Sequence, residues 1–222
     1  MPQSRLLVEK KREALHGALL ALGDQVELAL RQSLDALREQ DVDLARAIVA
    51  GDAAVNQQRR LLEQEALLVL AAYQPAGLDL RIIGASMELV AELERIGDYA
   101  ADIARLLLRY AEPGFPAALV APIIEMGATA VGMFCDAMVA YGRYGGDAVM
   151  ARAVATRDDV VDALEGELLA AIAAAIREDP AQAAAGLALS RVAHLYERVA
   201  DRATNIAERV VYIATGETPD LD

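Results

Sequence analysis

Apolar residues recur along this chain in alternating steps of three and four, the period of a helix buried along one face. Over residues 89–107 the stripe is Leu89, Leu93, Ile96, Ala100, Ile103 and Leu107. Over residues 192–213 it is Val192, Tyr196, Val199, Ala203, Ile206, Val210 and Ile213. Breakers cut the pattern into six predicted helices. The first covers residues 4–39, the second starts at an Asp41 N-cap and reaches about residue 73, and the third covers 79–110, after the Gln74-Pro75-Ala76-Gly77 interruption. Glu112-Pro113-Gly114-Phe115-Pro116 reads as a linker, with Pro116 suited to the first turn of the fourth helix. Gly145-Gly146-Asp147 ends that helix and starts the fifth, and Asp179-Pro180-Ala181-Gln182 starts the sixth, which ends near Thr215-Gly216.

The pattern is written twice. Glu94-Arg95-Ile96-Gly97-Asp98-Tyr99-Ala100-Ala101-Asp102-Ile103-Ala104 recurs as Glu197-Arg198-Val199-Ala200-Asp201-Arg202-Ala203-Thr204-Asn205-Ile206-Ala207. Leu22-Gly23 likewise matches Met126-Gly127, and Ala45-Arg46-Ala47-Ile48 with Asp52 and Asn56 matches Ala151-Arg152-Ala153-Val154 with Asp158 and Asp162. The offset stays at about 103–106 residues, the drift that small insertions in turns produce. The expected fold is therefore all-α: two tandem three-helix bundles related by internal pseudo-symmetry, residues 1–111 and 116–216, each closed antiparallel around one apolar seam.

Composition agrees with that class and removes others. The 222 residues are 55% hydrophobic, rich in alanine, with 7 Tyr, 2 Phe and no Trp, which suits close-packed helices better than a β-sandwich. A net charge of −13 would repel a phosphate backbone, so nucleic acid is not an expected partner. Residues 1–11 turn charged too soon for an export signal. The apolar tracts 117–124 and 168–176 are broken by Pro122 or end at Arg177, short of the roughly twenty residues a membrane span needs. A soluble, cytoplasmic chain is expected, and the single Cys135, read as a small buried hydrophobe, fits a reducing compartment.

The acids carry the candidate chemistry. Glu94 with Asp98, and Glu197 with Asp201, stand four residues apart, so their carboxylates stack on consecutive turns and repel by roughly 0.2–0.5 kcal/mol unless a cation intervenes. With Leu89 and Val192 at heptad d positions, Glu94 and Glu197 fall at b, Asp98 and Asp201 at f, and Asp102 and Asn205 at c, all off the seam and facing outward. Arg95, Arg105 and Arg198 stand three residues from Asp98, Asp102 and Asp201, which suits ordinary surface ion pairs. Glu94 and Glu197 have no Lys or Arg three or four residues away on either side, and Glu208 extends the second stripe without one. Asp52 with Asn56, and Asp158 with Asp162, offer further oxygens at the same spacing, although a plain solvated face is the better reading of them. An oxygen-rich set suits Mg²⁺, Mn²⁺, Ca²⁺ or iron, and zinc fits least.

The two ERIGD-type segments, the lead-in Gln74-Pro75-Ala76-Gly77-Leu78-Asp79-Leu80-Arg81, the Gly51-Asp52 to Asn56 segment and Asn205-Ile206-Ala207-Glu208 before Thr215-Gly216-Glu217 together resemble the PhoU family of bacterial phosphate-signalling regulators. The resemblance runs over nearly the whole chain. It implies paired three-helix bundles and surface metal clusters held by E/D-x-x-x-D motifs. Those motifs map to Glu94, Asp98 and Asp102 in the first copy and to Glu197, Asp201, Asn205 and Glu208 in the second. It further implies a cytoplasmic, non-enzymatic role restraining phosphate-starvation signalling through a phosphate ABC transporter ATPase and a membrane sensor histidine kinase, and a homodimer is expected. Two departures stand out: Ala200 replaces the glycine of the first copy, and Arg105 stands where the second copy has Glu208.

Two other readings compete. A ferritin-like di-iron carboxylate enzyme needs two Glu-x-x-His pairs in one bundle core, and the chain has only Glu13-Ala14-Leu15-His16, with His194 preceding Glu197 in the reverse order. A metal-free helical adaptor would turn the acid stripes to a basic partner surface. Other enzymatic readings lack a starting residue, since no phosphate-binding glycine loop or nucleophile elbow occurs.

Overall fold

The computed structural model describes residues 2–112 and 114–221, so Met1 and Pro113, at one expected domain boundary and in the expected linker, lie outside the described residues. The described chain is helical and contains no strand. The first half is α1 (Pro2–Glu39), α2 (Val42–Tyr73) and α3 (Leu78–Arg109). The second half is α4 (Ala117–Gly142), α5 (Ala148–Ala155), α6 (Asp158–Glu178) and α7 (Ala183–Thr215), with a single 3₁₀ turn at Pro180–Gln182. The expected punctuation is present in atomic detail. The Asp41 carboxylate accepts from the N–H groups of Asp43 and Leu44, both at 2.9 Å. Asp179 caps the Ala181 N–H, and Gly216 ends α7 at φ 82°.

The fifth predicted helix is broken in two, so the described residues form seven α-helices rather than six. Across Ala155-Thr156-Arg157 the ladder tightens, with Arg157 N–H donating to the Val154 carbonyl at 3.1 Å and Thr156 Oγ1 donating to the Ala153 carbonyl at 2.9 Å. The Arg157 guanidinium then reaches across to Asp136 on α4 at 2.6 Å. A tertiary ion pair thus accompanies a break that no glycine or proline announces. The fourth helix departs from expectation in the other direction. It continues through Pro122, so the 26-residue helix is long and apolar enough to cross a membrane by length and composition alone. In this fold α4 lies instead against α1, α5, α6 and α7, and it buries large residues such as Met133, Phe134 and Tyr141.

The two halves share one apolar core. α1 packs on α4 and α3 packs on α7, while α2 rests on α1 and α3, and α6 on α4 and α7. The four inner helices α1, α3, α4 and α7 carry most of the burial, and α2 and α6 form the outer flanks. The crossing of α1 and α4 is close because the repeat places a glycine on each. A Cβ on Gly23 would stand 2.5 Å from the Met138 methyl, and one on Gly127 would stand 2.7 Å from Leu34 Cδ2 and 3.1 Å from two carbons of the Tyr196 ring. Tyr196 is wholly buried, and its hydroxyl lies 3.0 Å from Ser33 Oγ, a polar contact between the halves.

The two glycines are not equivalent. A methyl at Gly23 meets only the flexible tip of Met138, and alanine is favoured over glycine in a helix by about 1 kcal/mol, so Gly23→Ala is expected to be near neutral. Gly127→Ala pushes against a buried ring and a buried leucine and is expected to cost about 1–3 kcal/mol, read as a lower melting midpoint. Equal effects at the two positions would show that the crossing is not set by this contact.

Candidate metal centre

Glu94 and Glu197 do not face outward to bulk water, whereas Asp102 is about half exposed. α3 and α7 are each covered on several sides, so positions b and f, which would be exposed on an isolated bundle, lie in troughs beneath the outer helices. The side chain of Glu94 is 23% exposed and that of Glu197 only 15%. Gly97 contributes to this closeness, because the methyl it lacks would sit 3.2 Å from Val55 of α2.

The first trough lies between α2 and α3 and gathers Asp52, Asn56, Glu94 and Asp98. Asn56 donates to Asp52 Oδ1 at 3.4 Å, and Asp98 lies beside both side chains. Burial, then the charges of Asp52 and Glu94, push Asp98 from its ordinary 3.8 up to about 6, with Asn56 opposing. Arginines close the two ends. Arg59 Nε lies 3.3 Å from Glu94 Oε1, and Arg105 bridges Asp52 at 3.0 Å and Asp102 at 2.6 Å. Asp102 is therefore held at the edge by Arg105 rather than turned into the cluster.

The second trough lies between α6 and α7 and is richer in ligands. Oxygens of Glu165 and Glu197 and a nitrogen of His194 all lie within 4.8 Å of one another. His194 Nδ1 is 3.2 Å from Glu165 Oε1 and 3.1 Å from Glu197 Oε2, the latter outside hydrogen-bonding geometry, so that buried oxygen has no donor. Burial, then Asp201 and Glu165, push Glu197 from its ordinary 4.5 up to about 7, against the pull of Arg198, with Asp162 adding a smaller repulsion. Asp201 is ion-paired with Arg198 at 2.9 Å, Asp162 is exposed on α6, and Asp158 stands half-buried in the first turn of α6.

Two expected ligands of the second copy lie elsewhere. Asn205 turns toward α3 and donates to Glu92 at 3.5 Å, and Glu208 accepts the Leu221 N–H at 2.9 Å. Conversely, Glu165 and His194 were not among the expected ligands. The signal was present in the repeat: Asp52, Asn56 and Arg59 on α2 correspond to Asp158, Asp162 and Glu165 on α6. The first copy thus carries a guanidinium where the second carries a carboxylate. The donor set of the second trough, two carboxylates and an imidazole around an undonated oxygen, fits a divalent cation. The first trough is in part neutralised by its own arginines.

Among the described residues the buried polar or charged side chains are Arg12, Ser33, Ser86 and Thr204, with no carboxylate or imidazole among them. His16 faces the Tyr141 carbonyl at 3.1 Å and Glu13 is exposed, so the one Glu-x-x-His pair does not converge on other carboxylates.

Proton linkage follows from the two raised carboxyls. Each holds its proton in the folded chain at pH values where the unfolded chain has released it. Metal-free protein is therefore expected to lose stability as pH rises from the ordinary values through about 6 for Asp98 and about 7 for Glu197, with no further loss above. Melting curves of chelator-treated protein between pH 4 and 8 read this directly, and Asp98→Asn with Glu197→Gln is expected to flatten the slope. A midpoint that climbs steadily over that range would contradict the geometry of both troughs.

The family model for the PhoU domain matches this chain twice, over residues 19–107 and 123–210. The chain is 33% identical over 204 residues to the phosphate-specific transport system accessory protein PhoU homolog of Pseudomonas putida, covering 92% of this chain and 79% of that one. It is 30% identical over 220 residues to the homolog of Clostridium acetobutylicum, covering 99% of each. The crystal structure of PhoU from Pseudomonas aeruginosa superposes with a TM-score of 0.90 at 32% identity, over 94% of this chain and 99% of that chain. The phosphate transport system regulatory protein PhoU from Streptococcus pneumoniae superposes with a TM-score of 0.87 at 29% identity, over 96% and 99%.

Proposed function

The chain belongs to the PhoU family, and from that premise we propose that it is a metal-binding cytoplasmic regulator that restrains phosphate uptake and phosphate-starvation signalling. It acts by association with a phosphate ABC transporter and a membrane sensor kinase, and catalyses no reaction itself. Its relatives carry names of accessory proteins of a phosphate transport system, which supports the regulatory part of this reading. The observation that carries the metal part is the second trough, where Glu165 and His194 converge on Glu197, whose buried Oε2 has no donor. A cation bound there would supply positive charge that links α6 to α7. Glu197, Glu165 and His194 are the residues that would hold it, with Asp201 and Asp162 adjacent. Binding would displace the protons held on the raised carboxyls, so affinity increases with pH.

The regulatory reading is tested by deleting the gene and measuring phosphate-responsive transcription and phosphate uptake in high phosphate. The expected outcome is genes left on or uptake unrestrained; normal repression would reject the assignment.

The metal reading has a test that separates the troughs. Bound Mn²⁺ or Fe²⁺, measured by mass spectrometry of the intact purified protein, is expected to fall sharply in Glu197→Gln and to change less in Glu94→Gln, because the Arg59 guanidinium, paired with Glu63 at 2.7 Å, also stands 3.3 Å from Glu94. Arg59→Glu, which gives the first trough the acid of the second, is expected to raise the metal content. Metal-dependent gain in melting midpoint follows the same order. Equal and negligible metal in all of these proteins would sink the site assignment and leave the metal-free adaptor.

A further inference from the structure

The troughs leave one electrostatic feature unused. α3 and α7 run antiparallel, and the two ends of the groove between them differ. At one end acids and bases meet across it: Glu88 with Arg209 at 3.1 Å, and Glu92 with Arg202 at 3.3 Å. The repeat places Arg191 opposite in register to Glu88, Leu195 to Glu92 and Leu106 to Arg209, so the pairing cannot form at the other end. That end is instead a cleft of about 300 Å³ lined by Asp102, Arg105, Leu106, Arg109, Arg191 and Leu195. Arg105 already holds Asp102 at 2.6 Å. Arg109 and Arg191 are exposed and form no ion pair among the described residues, although the chain carries 34 acids.

From this we infer that the cleft between α3 and α7 is a binding site for a tetrahedral oxyanion, inorganic phosphate or a phosphate monoester, held by Arg109 and Arg191. Guanidinium groups present planar forks of N–H donors matched to phosphate oxygens, and two of them, one from each helix, approach such a ligand from different sides. The charge balance agrees. With Asp102 satisfied by Arg105, two positive charges remain in the cleft, which a dianion would compensate. A bounded cleft on a chain of net charge −13 favours a compact anion, because the surrounding surface repels an extended polyanion. The site stands apart from the carboxylate ligands of the second trough and does not depend on the metal reading.

The test uses full-length protein freed of metal by chelator, so that phosphate cannot bind through a cation. Inorganic phosphate and O-phosphoserine are each titrated calorimetrically into wild type, Arg109→Gln/Arg191→Gln, and Arg60→Gln, an exposed arginine on α2 outside the cleft. Wild type and Arg60→Gln are expected to bind alike. The double variant is expected to bind roughly tenfold or more weakly, since each lost partner is a charged hydrogen bond. Its melting midpoint without ligand is expected to hold, because neither arginine makes an ion pair to lose. Added salt weakens binding, the exposed charges being screened beyond about 8 Å at physiological ionic strength. A response to inorganic phosphate identifies the free ion, and a response to O-phosphoserine alone identifies the ester. No binding of either ligand, or equal binding in wild type and double variant, overturns the proposal.

Discussion

The rest of this structure depends on the shared core of its two repeats. Each repeat alone is three amphipathic helices with a seam, but the inner helices bury a second face against the other half. Leu34 of the first half and Tyr196 of the second close on either side of Gly127, and the glycine is what allows α1 and α4 to approach. Once α1, α3, α4 and α7 form one body, only two positions remain for α2 and α6. They lie along the flanks, over the acid stripes of α3 and α7. The position of the candidate ligands is thus a result of how the core is assembled and not of the motifs alone.

That placement also explains the electrostatics. A Glu and an Asp one turn apart on an exposed helix repel weakly through water. Under a second helix the same pair is partly desolvated, and Asp98 and Glu197 are pushed into the range of neutral pH. The two copies respond differently to this repulsion. The first answers with guanidinium groups from Arg59 and Arg105, whereas the second adds Glu165 and leaves an oxygen of Glu197 without a donor. One trough carries its counter-charge within the chain, and the other is shaped for a counter-charge from outside.

Much of the fold could be read from the chain because the seams are written in large side chains. The repeat was legible for that reason, and the helix caps at Asp41 and Asp179 from their own residue types, whereas Asp52 and Asn56 offered oxygens without showing that they join Glu94 and Asp98. The second buried face of each inner helix was not, since it is written in small residues such as Gly97, Ala104, Ala200 and Ala207, which carry little periodic signal. Without that face the acids read as pointing to water. The break between α5 and α6 was hidden because it coincides with the reach of Arg157 to Asp136, a contact between helices distant in sequence. Glu165 and His194 were missed for a related reason: a ligand set shared by two helices becomes visible only when their mutual register is known. Asn205 and Glu208 show the converse, acting in the contact with α3 and in holding the chain end at Leu221.

The break at Thr156 and Arg157 has a consequence for motion. α2 is a single rod of 32 residues, whereas its counterpart is cut into pieces of 8 and 21. The longer piece, α6, buries only Val161, Leu168 and Ile172. Few buried apolar contacts mean a low free energy of local opening, so α6 belongs to the least protected part of the fold and can lift from α7 while the shared core stays closed. The helix that covers the unneutralised trough is therefore also one that buries few side chains for its length, so the charge beneath it weighs on its seating.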